Sequence, residues 1–233
     1  MEIKFDPTKV DKDILKGKFS HLFQKKFLKK WDPEKEAFQE ELKWLSEASK
    51  KIVEIGCGKG RFLIEMAEKN PSIKFLGFEI INKSYKIAKK RAEGNNLKNL
   101  LIVRRDAVPV ISLNFPDNFI DEYYLFYPDP WPKRRHRRRR WYFHPFFLEL
   151  IRTLKIGGKI TITTDNINYI NEAFYLFKNF YHLEILRFSK VPENFRRTHF
   201  EEKFLKRGLT LYEIVGKKIK KFPQHKKYKE QLK

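Results

Sequence analysis

From residue 51 onward the chain alternates between short apolar segments and amphipathic segments, and this alternation constrains the fold more than any other feature. The apolar segments are rich in β-branched and aromatic residues, as buried strands are, and lie at 51–55, 73–79, 100–104, 120–126 and 159–164. Two further strands are expected near 182–188 and 209–215. Strands that alternate with helices build a parallel sheet covered on both faces. We therefore predict an α/β fold with a mostly parallel, seven-stranded sheet.

Start and stop signals predict the helices. Asp32 and Pro33 supply an N-cap and a first-turn proline for a helix that should end near Ala48. Within the alternating region we expect helices over 61–68 and 81–94, a helix that Pro145 opens and Gly157-Gly158 ends, and a helix capped by Asp165 or Asn166.

These elements suggest three parts: an arm and helix over 1–49, with the arm before Asp32 irregular, a domain over 50–216, and a lysine-rich tail over 217–233. The net charge of +22 favours nucleic acid as the partner, with an anionic membrane surface second. No signal-peptide pattern and no long apolar run occur, so we expect a cytoplasmic protein without a membrane span. The single cysteine, Cys57, excludes an internal disulfide, and the histidines lack metal-ligand spacing, so no metal is expected.

A glycine-rich turn, Val53–Gly60, links the first strand to its helix. Gly56 and Gly58 let the backbone approach a ligand closely, and the helix start offers unpaired N–H groups. The spacing G-x-G-x-G differs from the dinucleotide fingerprint G-x-G-x-x-G. Glu79 after the second strand is placed to accept hydrogen bonds from ribose hydroxyls, and Asp106 after the third is placed to reach an adenine edge. The pattern predicts a nucleoside cofactor.

A second unusual stretch, Tyr127–Arg140, follows the fourth strand and reads Y-P-D-P-W-P-K-R-R-H-R-R-R-R. Pro128 and Pro130 fix their own φ angles and restrict the residues before them, so Asp129 should lie on a stiff turn. All but one of residues 133–140 are Lys or Arg, and a block of like charges is typical of a surface that binds an anionic partner.

These motifs carry a resemblance to known families. E-I-G-C-G-K-G, with an acid after each of the next two strands, resembles class I S-adenosylmethionine-dependent methyltransferases with a Rossmann-like fold. P-D-P-W-P-K with the basic run, T-T-D at 163–165 and R-T-H-F-E at 197–201 are similar to the bacterial tRNA (guanine-N7-)-methyltransferase family. The motifs extend from about residue 50 to 215. Tyr127 and His199 depart from the phenylalanine and lysine that the family commonly has there.

The resemblance implies S-adenosylmethionine as cofactor, tRNA as partner and 7-methylguanosine as product, typically at guanosine 46 of the variable loop. It implies a catalytic role for Asp129. With the two glycines of the turn, the expected cofactor-binding residues are Glu54, Gly56, Gly58, Glu79, Asp106 and Asp129. The expected contacts with the substrate guanosine are Lys133, Asp165, Thr198 and Glu201. Because arginine forks bind phosphate oxygens, the expected contacts with the RNA backbone are Arg134, Arg135, Arg137, Arg138, Arg139 and Arg140.

Two other functions remain open from the sequence. One is a methyltransferase acting on another base, such as adenine N6, although that chemistry needs a route for deprotonation and a D-P-P-aromatic order. The other is an RNA-binding protein that kept the fold without catalysis, against which the intact glycine turn and Asp129 both argue. The glycine spacing disfavours a nicotinamide-dependent dehydrogenase.

Overall fold

A seven-stranded sheet organises the computed structural model, which describes residues 1–23 and 38–221. The strands are β1 (Lys50–Ile55), β2 (Ile73–Phe78), β3 (Leu100–Val103), β4 (Ile120–Phe126), β5 (Leu154–Thr164), β6 (Leu183–Lys190) and β7 (Tyr212–Lys218). Their order in the sheet is β3-β2-β1-β4-β5-β7-β6. The first five strands pair in parallel, whereas β7 pairs antiparallel with both β5 and β6. The prediction of a mostly parallel α/β sheet is confirmed.

The helices connect the strands and cover the sheet. They are α1 (Lys12–Leu15), α2 (Gln39–Ser46), α3 (Arg61–Lys69), α4 (Asn82–Gly94), α5 (Ala107–Asn114), α6 (Phe146–Thr153), α7 (Ile167–Asn179) and α8 (His199–Leu205). Successive side chains of a strand point to opposite faces, and the two buried clusters reflect this. Ile52 and Phe75 pack in the cluster with α3 and α4, whereas Val53 and Leu76 belong to the larger cluster on the other face. No helix in the described residues is both long and apolar enough to cross a membrane.

The sheet order reverses between β1 and β4, which are neighbours although two strands separate them in the chain. In open parallel sheets, ligands bind beyond the carboxyl ends of the strands at such a switch point. The glycine turn follows β1 and the proline-rich turn follows β4. The topology therefore brings the two sequence motifs to the same edge of the sheet.

Two helices of the alternating region, α5 and α8, were not predicted. Helix α5 reads A-V-P-V-I-S-L-N, an almost continuous apolar run with a proline in its first turn, so it shows no helical periodicity. Asp106 caps it by accepting a hydrogen bond from the Val108 N–H at 2.9 Å. Helix α8 is only two turns long and begins at the cap residue Thr198, whose hydroxyl accepts from the Glu201 N–H at 3.1 Å.

Two predicted boundaries were wrong. Helix α6 ends at Thr153, and β5 begins at Leu154 and runs through Gly157 and Gly158. The register with β4 shifts between Ile120 and Glu122, so the glycines accommodate a bulge rather than end a helix. The last two strands are also displaced, because β6 ends at Lys190 and β7 begins at Tyr212.

The terminal segments differ from the predicted divisions. Residues 1–23 form short helices, and Val10, Ile14, Phe19 and Leu22 are buried in the larger cluster, so this segment belongs to the domain rather than to an irregular arm. Strand β7 continues to Lys218, which is past the predicted start of the tail. The predicted helix start at Asp32-Pro33 and most of the lysine-rich tail lie outside the described residues.

Candidate active site

The turn between β1 and α3 is shaped for a close backbone approach. Gly56 and Gly58 have φ angles of +77° and +56°, which side chains rarely allow, and a Cβ at either position would meet no atom within 4 Å. The carboxylate of Glu79 fixes this turn. Its two oxygens accept hydrogen bonds from the Gly58 N–H at 2.8 Å and the Ile81 N–H at 2.7 Å. The turn is thus held by Glu79 and has open space beside both glycines.

Glu54, the last acid of β1, is only 2% exposed, and its Oε2 has no hydrogen-bond partner among the described residues. Burial and the neighbouring carboxylates of Glu79 and Glu201 raise its pKa well above the ordinary value. Burial, and next the charges of Glu54 and Glu79, raise the pKa of the Cys57 thiol well above its ordinary value. A buried carboxylate oxygen of this kind is suited to accept from a hydrogen-bond donor or a cationic ligand.

Glu54 lines a cavity of about 260 Å³ between the glycine turn and α8. The residues around it include Glu54, Gly56, Gly58, Phe126, Thr198 and Lys203. Helix α8 is held over the cavity by an ion pair between Arg61 Nη1 and Glu202 Oε2 at 2.7 Å. At the first residue of α8, Arg91 Nη1 lies 3.1 Å from His199 Nε2. This nitrogen must accept the hydrogen bond, because arginine only donates.

The proline-rich turn after β4 has an unusual backbone. Tyr127 and Trp131 have φ angles of +51° and +43°, a region that residues other than glycine seldom occupy. Asp129 lies between them and is exposed. It shares a cavity of about 280 Å³ with Val108, Trp131, Arg139, Trp141 and His144. Because Val108 donates to Asp106, this cavity also adjoins the acid that follows β3.

Comparison with known proteins connects this geometry to a family. The family model described as "Putative methyltransferase" matches residues 48–214. A tRNA (guanine-N(7)-)-methyltransferase from Limosilactobacillus fermentum is 35% identical over 167 residues, which are 70% of this chain and 77% of that protein. One from Thermotoga maritima is 35% identical over 175 residues, which are 74% of this chain but only 55% of the relative, little more than half its length.

The chain belongs to the tRNA (guanine-N7-)-methyltransferase family. A solved structure of a 16S rRNA (adenine(1408)-N(1))-methyltransferase from Catenulisporales acidiphilia has the same fold. It superposes with a TM-score of 0.58 at 14% identity, covering 79% of this chain and 93% of that one. The predicted family and fold are thereby confirmed.

The family's expected substrate residues are not all presented to the surface. Lys133 and Asp165 are exposed, and Asn166 rather than Asp165 caps α7, by accepting from the Tyr169 N–H at 2.9 Å. Thr198 lines the cavity beside the glycine turn. The structure therefore leaves these three side chains near or on open surface.

Glu201 is placed differently, because it has no exposed surface. Its Oε1 accepts from Arg197 Nη2 at 2.6 Å and from the Tyr127 hydroxyl at 3.0 Å, and its Oε2 accepts from the Arg197 backbone N–H at 2.8 Å. The predicted direct contact with guanosine does not fit this arrangement. The Tyr127 hydroxyl thus links the start of the proline-rich turn to Glu201.

The basic run also divides into two groups. Arg134, Arg135, Arg138 and Arg139 are exposed, as a role on RNA phosphates requires. Arg137 is 12% exposed and ion-paired with Asp11 and Asp13 of the N-terminal segment.

Arg140 is 8% exposed and ion-paired with Glu172 of α7 at 2.5 Å. The predicted contact with RNA phosphates does not fit a guanidinium so enclosed.

Sequence reasoning missed two residues that hold the site in place, Arg197 and Glu172. Arg197 stands inside the quoted motif R-T-H-F-E, yet nothing in the letters shows that it turns inward to Glu201 and to Glu213 Oε2 at 2.5 Å. Glu172 is buried on α7, although the predicted apolar face of Ile170, Ala173 and Phe177 leaves it on the polar side of the helix, so the pattern gave no signal for it. Among the described residues, no group of three or more His, Cys, Asp or Glu could hold a metal ion.

Proposed function

We propose that the chain transfers a methyl group from S-adenosylmethionine to N7 of guanosine 46 in the variable loop of tRNA. One observation carries this proposal: the turn that holds Asp129 and the glycine turn follow the two strands at the switch point of the sheet, beside Glu54, whose Oε2 has no partner among the described residues. The relatives' names support the reaction and the substrate. The position within tRNA rests on the resemblance of the P-D-P-W-P-K motif to the family.

The residues of the cavity beside the glycine turn suit S-adenosylmethionine. When bound, this cofactor supplies an electrophilic methyl group on a positively charged sulfur. Glu54 Oε2 has no partner among the described residues and would accept from a cationic ligand. Gly56 and Gly58 leave the space that a Cβ would otherwise fill. Glu79 already orders the turn and retains lone pairs for ribose hydroxyls, and Asp106 stands at the neighbouring strand end.

The chemistry at guanine N7 asks little of a general base. N7 carries an in-plane lone pair, so the N–C bond can form while the S–C bond breaks and its electron pair stays on sulfur. No proton has to leave the purine. Catalysis then depends mainly on holding N7 in line with the methyl group.

Positive charge develops on the purine during the transfer, and a fixed carboxylate can stabilise it. Asp129 is exposed on a stiff turn and lines a cavity, so it is positioned to accept from the guanine N1–H and N2–H groups. Adenine lacks those donors, so the same contact selects guanine. Glu201 is buried and instead holds Arg197 and Tyr127 in place below the turn.

The exposed arginines of the run, with Lys133, would hold the RNA backbone. Contacts with phosphate position the RNA without reading its sequence. Affinity should therefore fall with salt, by roughly 0.7–0.9 log units per log unit of salt for each phosphate neutralised.

The test is transfer of labelled methyl from S-adenosylmethionine to an unmodified tRNA transcript, with product nucleosides identified by mass. The test variant is Asp129→Asn, and the matched control is Asp117→Asn. Asp117 is an exposed acid whose only ion pair among the described residues is with Arg152. We expect 7-methylguanosine, a loss of about 100- to 1,000-fold for Asp129→Asn and wild-type rates for Asp117→Asn. Label on adenine would instead support a methyltransferase for that base, and binding without transfer would support an RNA-binding protein.

A further inference from the structure

The last arginine of the basic run points into the protein and holds the turn that carries Asp129. Arg140 Nε donates to the Pro130 carbonyl at 2.8 Å, and Nη2 donates to the Trp131 carbonyl at 3.1 Å. Nη1 donates to Glu172 Oε2 at 2.5 Å. All three guanidinium nitrogens are therefore occupied inside the protein, and two of them bind the residues that directly follow Asp129.

Glu172 fixes the guanidinium in turn. It is 3% exposed on α7, and its Oε2 also accepts from the Tyr142 hydroxyl at 2.7 Å. Its other oxygen accepts from the Asp11 backbone N–H at 3.3 Å. A buried carboxylate with donors on both oxygens has a single orientation, so it can set the orientation of Arg140.

The turn needs such support because its backbone is strained. Tyr127 and Trp131 both occupy the left-handed region without being glycine, and such residues persist only where the surroundings enforce them. The Tyr127 N–H donates to the Thr163 carbonyl at 3.0 Å, which anchors the start of the turn to β5. Arg140 anchors its end. Asp129 is thus held between two fixed points.

Neighbouring arginines act on opposite sides of the turn. The Arg139 guanidinium lies over the Trp131 ring at 4.7 Å and lines the open cavity with Asp129. Arg140 lies beneath the same residue and is buried. Sequence alone presents the two as equivalent members of one basic block.

We propose that Arg140 and Glu172 are positioning residues for Asp129. The effect of this role on the reaction rate rests on the proposed function. By fixing the carbonyls of Pro130 and Trp131, the pair sets where the Asp129 carboxylate stands. A displacement of about 1 Å can cost on the order of a hundredfold in rate. Loss of the pair should therefore lower kcat and leave the affinity for tRNA unchanged.

Arg140→Lys separates this role from phosphate binding. Lysine keeps the charge and would still contact a phosphate, but it cannot donate in the three directions that the fork uses. We expect kcat to fall by about ten- to a hundredfold, with the KM for tRNA and the Kd for S-adenosylmethionine within about twofold of the wild type. Unchanged kcat with Arg140→Lys would overturn the proposal.

Glu172→Gln tests the same role from a residue that RNA cannot reach, and Arg138→Ala is the matched surface variant. Glu172→Gln should lower kcat as Arg140→Lys does, and the two effects should not add. Arg138→Ala should instead raise the KM for tRNA and reduce the salt slope by roughly 0.7–0.9. Additive losses in the double variant would contradict a shared mechanism.

Hydrogen exchange provides a readout that does not depend on activity. In the protein without tRNA, Glu172→Gln should speed exchange in peptides that cover 127–141 and leave those of β1 and α3 unchanged, whereas Arg138→Ala should change neither. If wild-type protein methylates no tRNA, the proposed function fails, yet the exchange still decides whether the pair holds the turn. Unaltered exchange over 127–141 in Glu172→Gln refutes the positioning role.

Discussion

Replacing Glu54 by glutamine tests the cofactor site through both stability and affinity. Glu54 is 2% exposed, its Oε2 has no partner in the described part of the chain, and Glu79 and Glu201 repel its charge. Glutamine has nearly the same shape and no charge. The substitution therefore removes the cost of the buried carboxylate and the attraction that the carboxylate would offer a cationic ligand.

The effect on stability has a definite sign. The folded-state pKa of Glu54 is raised above the ordinary value of 4.5. Its contribution to the free energy of unfolding is thus fully present below about pH 4.5 and is lost as pH rises through the raised pKa. At pH 7 the loss has an upper limit, which is the free energy of keeping the carboxyl group protonated at that pH. Each pH unit above the ordinary pKa costs about 1.36 kcal/mol, so this limit is about 3 kcal/mol.

Glu54→Gln should consequently be more stable than the wild type at pH 7 by up to about 3 kcal/mol, with a flatter profile from pH 5 to 8. A hydrogen bond to a charged group contributes about 1.5–3 kcal/mol, so S-adenosylmethionine should bind roughly 10- to 150-fold more weakly. Urea unfolding across pH measures the first effect, and calorimetric titration measures the second.

The matched control is Glu68→Gln, since Glu68 is exposed on the outer side of α3 and should change neither quantity. The reasoning is refuted if Glu54→Gln loses stability equally at pH 5 and pH 8 and still binds S-adenosylmethionine as tightly as the wild type.

Three further substitutions have expected outcomes. Lys218→Met should destabilise the fold by about 2–3 kcal/mol in urea unfolding, because its buried ammonium lies within hydrogen-bond distance of four oxygens: the side chain of Asn118 and three carbonyls where α6 passes into β5. An unchanged midpoint contradicts this. Tyr127→Phe should cost about 1 kcal/mol of stability and little activity, since Glu201 keeps its arginine partner. Asp13→Asn should tighten tRNA binding severalfold at low salt, because it removes the ion pair that holds Arg134 and leaves this arginine to bind a phosphate. Weaker affinity in a filter-binding assay would contradict this.

The sequence predicted the parts of the fold that depend on local pattern. Strands β1 to β5 were recognisable from their apolar runs, and the glycine turn identified the end of β1 as a ligand site. Helix α5 was missed because its residues are apolar on all sides, and a proline in its first turn masks its start. Gly157 and Gly158 were misread because a bulge and a helix end place the same demand on the backbone.

The site shows the corresponding limit at the level of side chains. The place of Asp129 on a fixed turn could be predicted because two prolines restrict the backbone there. Arg140 and Glu201 could not be placed correctly, because the direction of a side chain depends on partners distant in the chain. Glu172 is 32 residues from Arg140, and Tyr127 is 74 residues from Glu201. A run of identical charges conceals which member is buried.

The most direct test of the central claim replaces a single atom of the substrate. A tRNA carrying 7-deazaguanosine at position 46 has a C–H group where guanosine has N7, and its shape is otherwise retained. We predict that the wild-type protein binds this tRNA and the unmodified tRNA equally well and methylates only the latter, yielding 7-methylguanosine. Methyl transfer to the deaza tRNA at the rate of the unmodified tRNA would contradict the account.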